Sequence, residues 1–558
     1  MLAMLLRCGV LIAALSIFVG CGQFPTRRDG VSAVPRFDVF EATLTSTVNY
    51  ANPYVDVTVE VTFVAPDGRE LVVPAFYDGD ATWRVRIAPD VSGQWTYRTA
   101  ASMNTDGGLQ GVTGKFECID SRSKGFIRPD PATKYWFAYG GGTPFFGIGD
   151  TAYGLTNGLT DRQAAAYAGK RRSQRFNFIR FFASGYPFQI NRNLAVEEGW
   201  PWGGTPEQPD YDRLNPKYFR RLERAVQDLG KRRLHAELIL FNYYSAPFTD
   251  PTVWTQAREE LWTRNVVARL ASSTNVFLWT VTNEYENYPD GKYRYETADD
   301  DWARRIGALV QKLDPQNHPR TVHNFTFESN GGVGGRFGAG EEIDVLTQQE
   351  WGAATSNGRA LEGTAQGIER AVWTDRIFGK PVINTENGYE WLDSRAPEEG
   401  QGMTTDKSRR AAWRVFASGG ATYAAGFGGT WIGTDQFDFG DGKPRPFVLR
   451  DMGLGRQIRH LAAFVAATGF AQMTPAQNRV NAPNLALAAG DREFVVYAPQ
   501  GGTVTVDLST ARGKTFSARW FDPRSGRYKK APAVRGGGTA SLSAGASHDW
   551  VLHLRQID

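Results

Sequence analysis

Residues 275–287, NVFLWTVTNEYEN, decide how the rest of the chain is read. Val276, Phe277, Leu278, Trp279 and Val281 form a short apolar run rich in β-branched and aromatic side chains, the pattern of a buried strand. The run stops at Asn283-Glu284. A buried strand that delivers a carboxylate at its C-terminal end is how α/β barrels present catalytic acids, because their active sites lie at that face. The same pattern suits a strand that simply meets solvent at Glu284, so the flanking chain has to discriminate.

Upstream, the chain alternates strands and helices from about residue 126. PFFGIGDTAYG (144–154) reads as a strand ending at Asp150, followed by a helix over 161–172. FNFIRFFASG is a second strand carrying Arg180. Asn215 is a plausible N-cap with Pro216 at the first helical position; Tyr218, Phe219, Leu222, Val226 and Leu229 recur at helical spacing, and Gly230 supplies a stop. HAELILFNYY is the third strand, ending at Asn242, and a helix over 259–270 leads into strand four. Downstream, Asp299-Asp300-Asp301 open a helix, RTVHNF ends near His323, IDVLTQQEW is strand six, PVINTENGYE strand seven and ATYAAGFGGTW strand eight. Helices are expected near 361–378, 406–418 and 454–468. GGVGGRFGAG, between strands five and six, is read as a loop. It matches neither a dinucleotide fingerprint nor a P-loop, which disfavours a doubly wound nucleotide-binding fold. Eight strand-then-helix units in roughly 340 residues predict an α/β (β/α)8 TIM barrel.

On both sides of the barrel the period changes to two. Val55, Val57, Val59, Val61 and Phe63 alternate with polar residues, and TWRVRIAP and GQWTYRTA follow at close spacing. FVVYAPQGGTVTVDL and FSARWFDPRSGRY repeat the pattern after residue 472. The expected organisation is a signal segment over 1–21, a tether over 22–35, an N-terminal β-sandwich over 36–125, the barrel over 126–471 and a C-terminal β-sandwich over 472–558. Trp200 and Trp202, in the insertion EEGWPWGGTPEQP, fit either sugar stacking or packing of that insertion.

Composition narrows the function classes. The chain has 558 residues, 63 Lys and Arg against 59 Asp and Glu, and a formal charge of +4. So even a balance argues against nucleic acid as the main partner. The six His show no metal-ligand spacing, and neither a metal nor another cofactor is expected. Of three Cys, Cys8 lies in the signal segment and Cys118 alternates with Phe116 as a core thiol. Arg7, the apolar run 10–19 and Gly20-Cys21 resemble a bacterial lipoprotein signal. That resemblance implies lipidation of Cys21 and a membrane attachment through the N-terminus, at the outer membrane, on its cell-surface or periplasmic side; the alternative is an ordinary secretory signal cleaved nearby.

If the barrel is right, Glu284 ends strand four and Glu386 ends strand seven. Two carboxylates meeting at a barrel mouth suit glycosidic bond hydrolysis, one protonating the leaving oxygen while the other attacks the anomeric carbon or activates water. Glu286, Glu350 and Glu390 are the rival carboxylates. Asp150, Arg180, Asn242, Asn283, His323, Tyr389 and Trp431 are candidate substrate-binding residues; each could equally be a structural strand-end residue.

Here a resemblance becomes specific. The Asn-Glu pair ending strand four, a Glu ending strand seven and Trp431 ending strand eight resemble clan A glycoside hydrolases, retaining enzymes on (β/α)8 barrels. The resemblance implies Glu284 as acid/base and Glu386 as nucleophile. GTPFFGIGDTAYGLTNGLT looks like the first barrel strand of the apiosidase-like family, preceded by the β-sandwich found in many bacterial glycosidases and followed by a collagen-binding-type β domain. Apiosidases carry an Asp in a Gly-Gly-Asp setting where this chain has Thr282-Asn283-Glu284, so the expected substrate stays a poly- or oligosaccharide: pectic, arabinan-like or a bacterial exopolysaccharide. The rival class is a non-catalytic carbohydrate-binding surface lipoprotein on a degenerate barrel.

Overall fold

The computed structural model describes residues 26–28, 31–186, 190–243, 246–287, 297–324, 333–350, 355–356, 359–360, 367–390, 403–434, 447–449, 453–545 and 547–557. Cys21 lies outside them.

The central element is an eight-stranded parallel sheet. Its strands are β1 (Gly147–Thr151), β2 (Phe178–Phe182), β3 (His235–Phe241), β4 (Val276–Thr282), β5 (Arg320–Thr321), β6 (Leu346–Gln348), β7 (Val382–Asn384) and β8 (Thr422–Ala425). They pair in the order β5-β4-β3-β2-β1-β8-β7-β6. The ladder is open only between β5 and β6, and there the Asp344 and Val345 N–H groups both donate to Arg320 O, at 2.9 and 3.1 Å. Thr321 Oγ1 adds a bond to Val345 O at 2.7 Å. The expected TIM barrel is therefore present, with its seam sewn by loop backbone.

Each strand is followed by a helix: α1 (Asp161–Ser173), α2 (Pro216–Lys231), α3 (Gln256–Leu270), α4 (Thr297–Leu313), α5 (Gly334–Phe337), α6 (Gly367–Arg376), α7 (Thr405–Ala417) and α8 (Gly453–Ala466). Their ends follow local chemistry. Thr160 and Gln163 close a capping box at α1. Asn215 Oδ1 accepts from Lys217 N at the start of α2, with Pro216 at the first position. Gly230 does not end that helix. It sits in the last turn because a Cβ there would lie 2.9 Å from the Asn275 side chain, and the chain leaves the helix through Arg233 at φ +59°. Nor is the glycine-rich segment between β5 and β6 only a loop: α5 is one helical turn whose Gly334 N–H donates to Asp375 Oδ1 at 3.1 Å.

The outer domains are β-rich and packed onto the barrel. Phe40, Phe63, Trp95 and Phe116 centre the N-terminal core, with Cys118 a buried free thiol whose burial raises its pKa to about 12. The tether reading fails at its end: Val31–Pro35 is a strand that pairs with Thr113–Ile119, and Ala33 and Val34 are buried. Arg269 of α3, buried, pairs with Asp78 of the sandwich at 3.0 Å and with Glu223 of α2 at 2.8 Å. At the other end, Arg409 of α7 pairs with Asp549 at 2.7 Å and Trp413 stacks on Tyr497.

Candidate active site

β4 is buried along its whole length, and the chain turns sharply just after it. Glu284 takes φ +48°, the left-handed region that side chains other than glycine rarely enter. The turn is held by His323. Its backbone N–H donates to Thr282 O at 3.2 Å, its carbonyl accepts from Tyr285 N at 2.9 Å, and its Nδ1 faces Glu284 N at 3.3 Å. An acceptor role for Nδ1 places the imidazole proton on Nε2, which stands 3.7 Å from Glu386 Oε2. Burial, reinforced by Arg180, pushes the His323 pKa well below 6.5, so the ring is neutral.

Glu386 follows β7 and is 6% exposed, against 5% for Glu284. Its Oε2 accepts from Tyr153 Oη at 2.8 Å and Arg180 Nη1 at 3.1 Å. Burial raises the Tyr153 phenol well above its usual 10, which keeps it a donor. Arg180 is completely buried in the barrel interior; it also faces Glu237 Oε1 at 3.3 Å and donates to Asn283 Oδ1. One guanidinium thus ties β2 to β3, to the residue beside Glu284, and to Glu386.

The two carboxylates are joined by Gln349. Its Nε2 lies 3.0 Å from Glu284 Oε1 and 3.1 Å from Glu386 Oε1. Two oxygens that close to one nitrogen are at most about 6 Å apart, short of the roughly 6.5–9.5 Å of inverting glycosidases and compatible with the spacing of about 5–5.5 Å in retaining ones. Tyr243 Oη donates to the other oxygen of Glu284. Tyr389 Oη is 3.1 Å from Tyr153 Oη, and its ring lies 5.0 Å from that of Trp431, giving an aromatic wall beside Glu386.

The structure thus gathers Glu284, Glu386, Arg180, Asn283, His323, Tyr389 and Trp431. Asn242 is buried beside Ser184, Nδ2 to Oγ 3.5 Å. Asp150 is a correction: it is wholly buried and turned to the helix side, where Oδ2 accepts from Tyr167 Oη at 2.6 Å and from Arg171 Nε. Successive side chains along β1 alternate faces, and the register of Gly147–Thr151 puts Asp150 on the helix side. Two of the rivals, Glu350 and Glu390, are likewise engaged elsewhere. The Glu350 carboxylate packs against Gly367 of α6, where a Cβ would stand 2.9 Å from Oε1. Glu390 accepts from Leu454 N at 3.1 Å and from Thr405 Oγ1, near the starts of α8 and α7. Trp200 and Trp202 are 1% exposed and pack with Trp254, Trp262 and Phe248, which decides for packing. Tyr153, Tyr243 and Gln349 were not foreseen. Each stands within three residues of a barrel strand's C-terminus, the one signal that singles them out.

Comparison with known proteins fits this geometry. Residues 132–437 match the family described as "Apiosidase-like, catalytic domain". Residues 33–102 match a domain of unknown function, DUF5060, and residues 472–555 match a "Putative collagen-binding domain of a collagenase". No curated protein sequence matches the chain. Among solved structures, a Bacteroides vulgatus protein described as a "putative glycoside hydrolase" superposes with a TM-score of 0.72 at 20% identity, covering 94% of this chain and 100% of that one. A glycoside hydrolase family 5 protein from Bacteroides vulgatus gives 0.62 at 14% identity, over 77% of this chain and 94% of the other. A barrel of glycoside hydrolase type, a buried carboxylate pair at its mouth and a match across more than half of the sequence together establish that the chain belongs to the apiosidase-like family.

Proposed function

We propose that the protein is a retaining glycoside hydrolase acting on a poly- or oligosaccharide by double displacement, with Glu386 as nucleophile and Glu284 as acid/base. The observation that carries this reading is the Gln349 amide, whose single nitrogen reaches both carboxylates. Glu386 Oε2 is anchored by Tyr153 and Arg180, and Oε1, which accepts from Gln349 on the side of Glu284, is the oxygen that attacks the anomeric carbon. As that bond forms, the bond to the leaving oxygen breaks and Glu284 delivers its proton there. The Glu284 carboxylate then takes a proton from water, the water oxygen attacks the anomeric carbon, and Glu386 is released.

Pectic, arabinan-like and bacterial exopolysaccharide glycans are the proposed substrate classes. We also propose export and lipid anchoring at Cys21, at the outer membrane or cell surface, which radiolabelled palmitate incorporation tests: Cys21→Ser should abolish the label.

The catalytic assignment is tested with Glu284→Ala on an activated aryl glycoside of whichever sugar a glycan panel identifies. Azide should restore turnover and yield a glycosyl azide of retained configuration. Wild-type turnover in Glu386→Gln would remove the nucleophile role.

A further inference from the structure

The strand Arg527–Arg535, RYKKAPAVR, is the outer edge of the C-terminal six-stranded sheet and is exposed nearly throughout. Its four cations, Arg527, Lys529, Lys530 and Arg535, make no ion pair among the described residues. Charge in this part of the chain is one-sided: residues 472–558 hold eleven Lys and Arg against six Asp and Glu, a surplus of five, while the whole chain carries only +4. The five acids there among the described residues are already engaged. Asp491 and Asp507 face Arg479, Asp522 faces Arg524, Glu493 faces His553, and Asp549 is held by Arg409 of the barrel. The field along the edge is therefore positive and not locally neutralised.

The edge also presents an aromatic face. Tyr528 is 43% exposed, and the Arg519 guanidinium sits 4.8 Å from its ring centroid. Across the ladder Arg519 stands opposite Lys530 and Phe521 opposite Tyr528, so Tyr528, Arg519 and Lys530 share one face. Nine residues of strand extend about 30 Å; Lys530 and Arg535 lie on the Tyr528 face and Arg527 and Lys529, paired with Asp522 and Trp520, on the other, so the edge carries cations along both faces with an aromatic ring on one.

We propose that this edge is a docking surface for an acidic polysaccharide, a glycan bearing carboxylates along its length. The cations would pair with the carboxylates and Tyr528 would stack on a sugar ring. A row of cations on an edge strand also guards a sheet against pairing with another chain; an exposed tyrosine in the row and the charge surplus beyond it are what favour a ligand. The surface is independent of the catalytic assignment, so its test uses binding alone.

The test is affinity electrophoresis of the full chain in native gels containing alginate or, in parallel, a neutral glucan. Two variants of equal charge loss are compared: Arg527→Gln, Lys529→Gln, Lys530→Gln, Arg535→Gln at the edge, and Arg98→Gln, Lys115→Gln, Arg122→Gln, Arg162→Gln elsewhere. The expected result is retardation of the wild type and the second variant by alginate only, weakening as salt is added, with at least tenfold weaker binding by the edge variant. Equal loss in both variants, equal retardation by the neutral glucan, or tighter binding to phosphatidylglycerol vesicles than to alginate would each overturn the proposal. So would an unretarded wild type whose edge variant alone self-associates on size exclusion, which would assign the cations to edge protection.

Discussion

Glu284, after β4, and Glu386, after β7, share one hydrogen-bond donor, the Gln349 side-chain nitrogen, at 3.0 and 3.1 Å. A neutral amide between two carboxylates fixes their separation without adding charge to either. Gln349→Ala should leave the fold intact and lower kcat by about 10–100-fold, the scale of losing one active-site donor. Gln349→Glu should do something different: a third carboxylate between the pair raises their pKa values, moving the acid limb of the pH–rate profile upward. A pH profile unchanged in Gln349→Glu would show that the bridge has no hold on the pair.

Arg180 is the second tie. Its removal leaves Glu237 and Glu386 buried without their cation, so Arg180→Met should cost about 3–5 kcal/mol in denaturant unfolding. Glu237 carries a pKa raised by burial and opposed by Arg180, and Glu237→Gln removes one of the two orphaned charges. The double variant Arg180→Met, Glu237→Gln should therefore recover a measurable part of that loss. Strictly additive losses would show that Arg180 and Glu237 are not coupled.

The φ of +48° at Glu284 has its own signature. Ordinarily Gly is less stable than Ala by about 0.5–1 kcal/mol, but a left-handed position reverses the order. Glu284→Gly should therefore unfold at an equal or higher denaturant midpoint than Glu284→Ala. A lower midpoint for the glycine variant would mean that the turn after β4 is not held in that conformation.

Asp375 links the β6 strand to α5: it accepts from Gly334 N and from Gln348 Nε2, next to the bridging Gln349. Burial raises its carboxyl to about 7 from an ordinary 3.8. The folded chain thus keeps a proton that the unfolded chain releases between these values, and this group's contribution to stability is lost as pH rises from about 4 to about 7. Asp375→Asn keeps an acceptor for Gly334 and removes the titration. It should match or exceed the wild-type Tm by about 1–3 °C at pH 8, with the advantage vanishing near pH 4. A constant deficit at both pH values would contradict the assignment.

How far the residues alone could carry the reading follows from the period of a strand. The apolar run 276–281 reports a buried strand in any register, and the carboxylate after it is visible because it interrupts that run; the same holds for Glu386 after VIN. Which face a strand-end residue takes depends on its register in the barrel, and a shift of one residue reverses it. That is why Asp150 reads as a mouth residue yet pairs with Arg171. In LTQQE the neighbouring Glu350 draws attention, while the chemistry falls to uncharged Gln349. The left-handed turn at Glu284 is invisible in composition because it is imposed from β5, by contacts of His323 nearly forty residues away in sequence.

The carboxylate pair is most directly tested by the stereochemistry of the reaction. Proton NMR of the first-formed product, recorded before mutarotation on a glycan that the purified protein cleaves, should show the anomeric configuration of the substrate bond, followed by slow appearance of the other anomer. Initial formation of the inverted anomer would contradict double displacement through Glu386 and require a water between Glu284 and Glu386 where Gln349 now joins them.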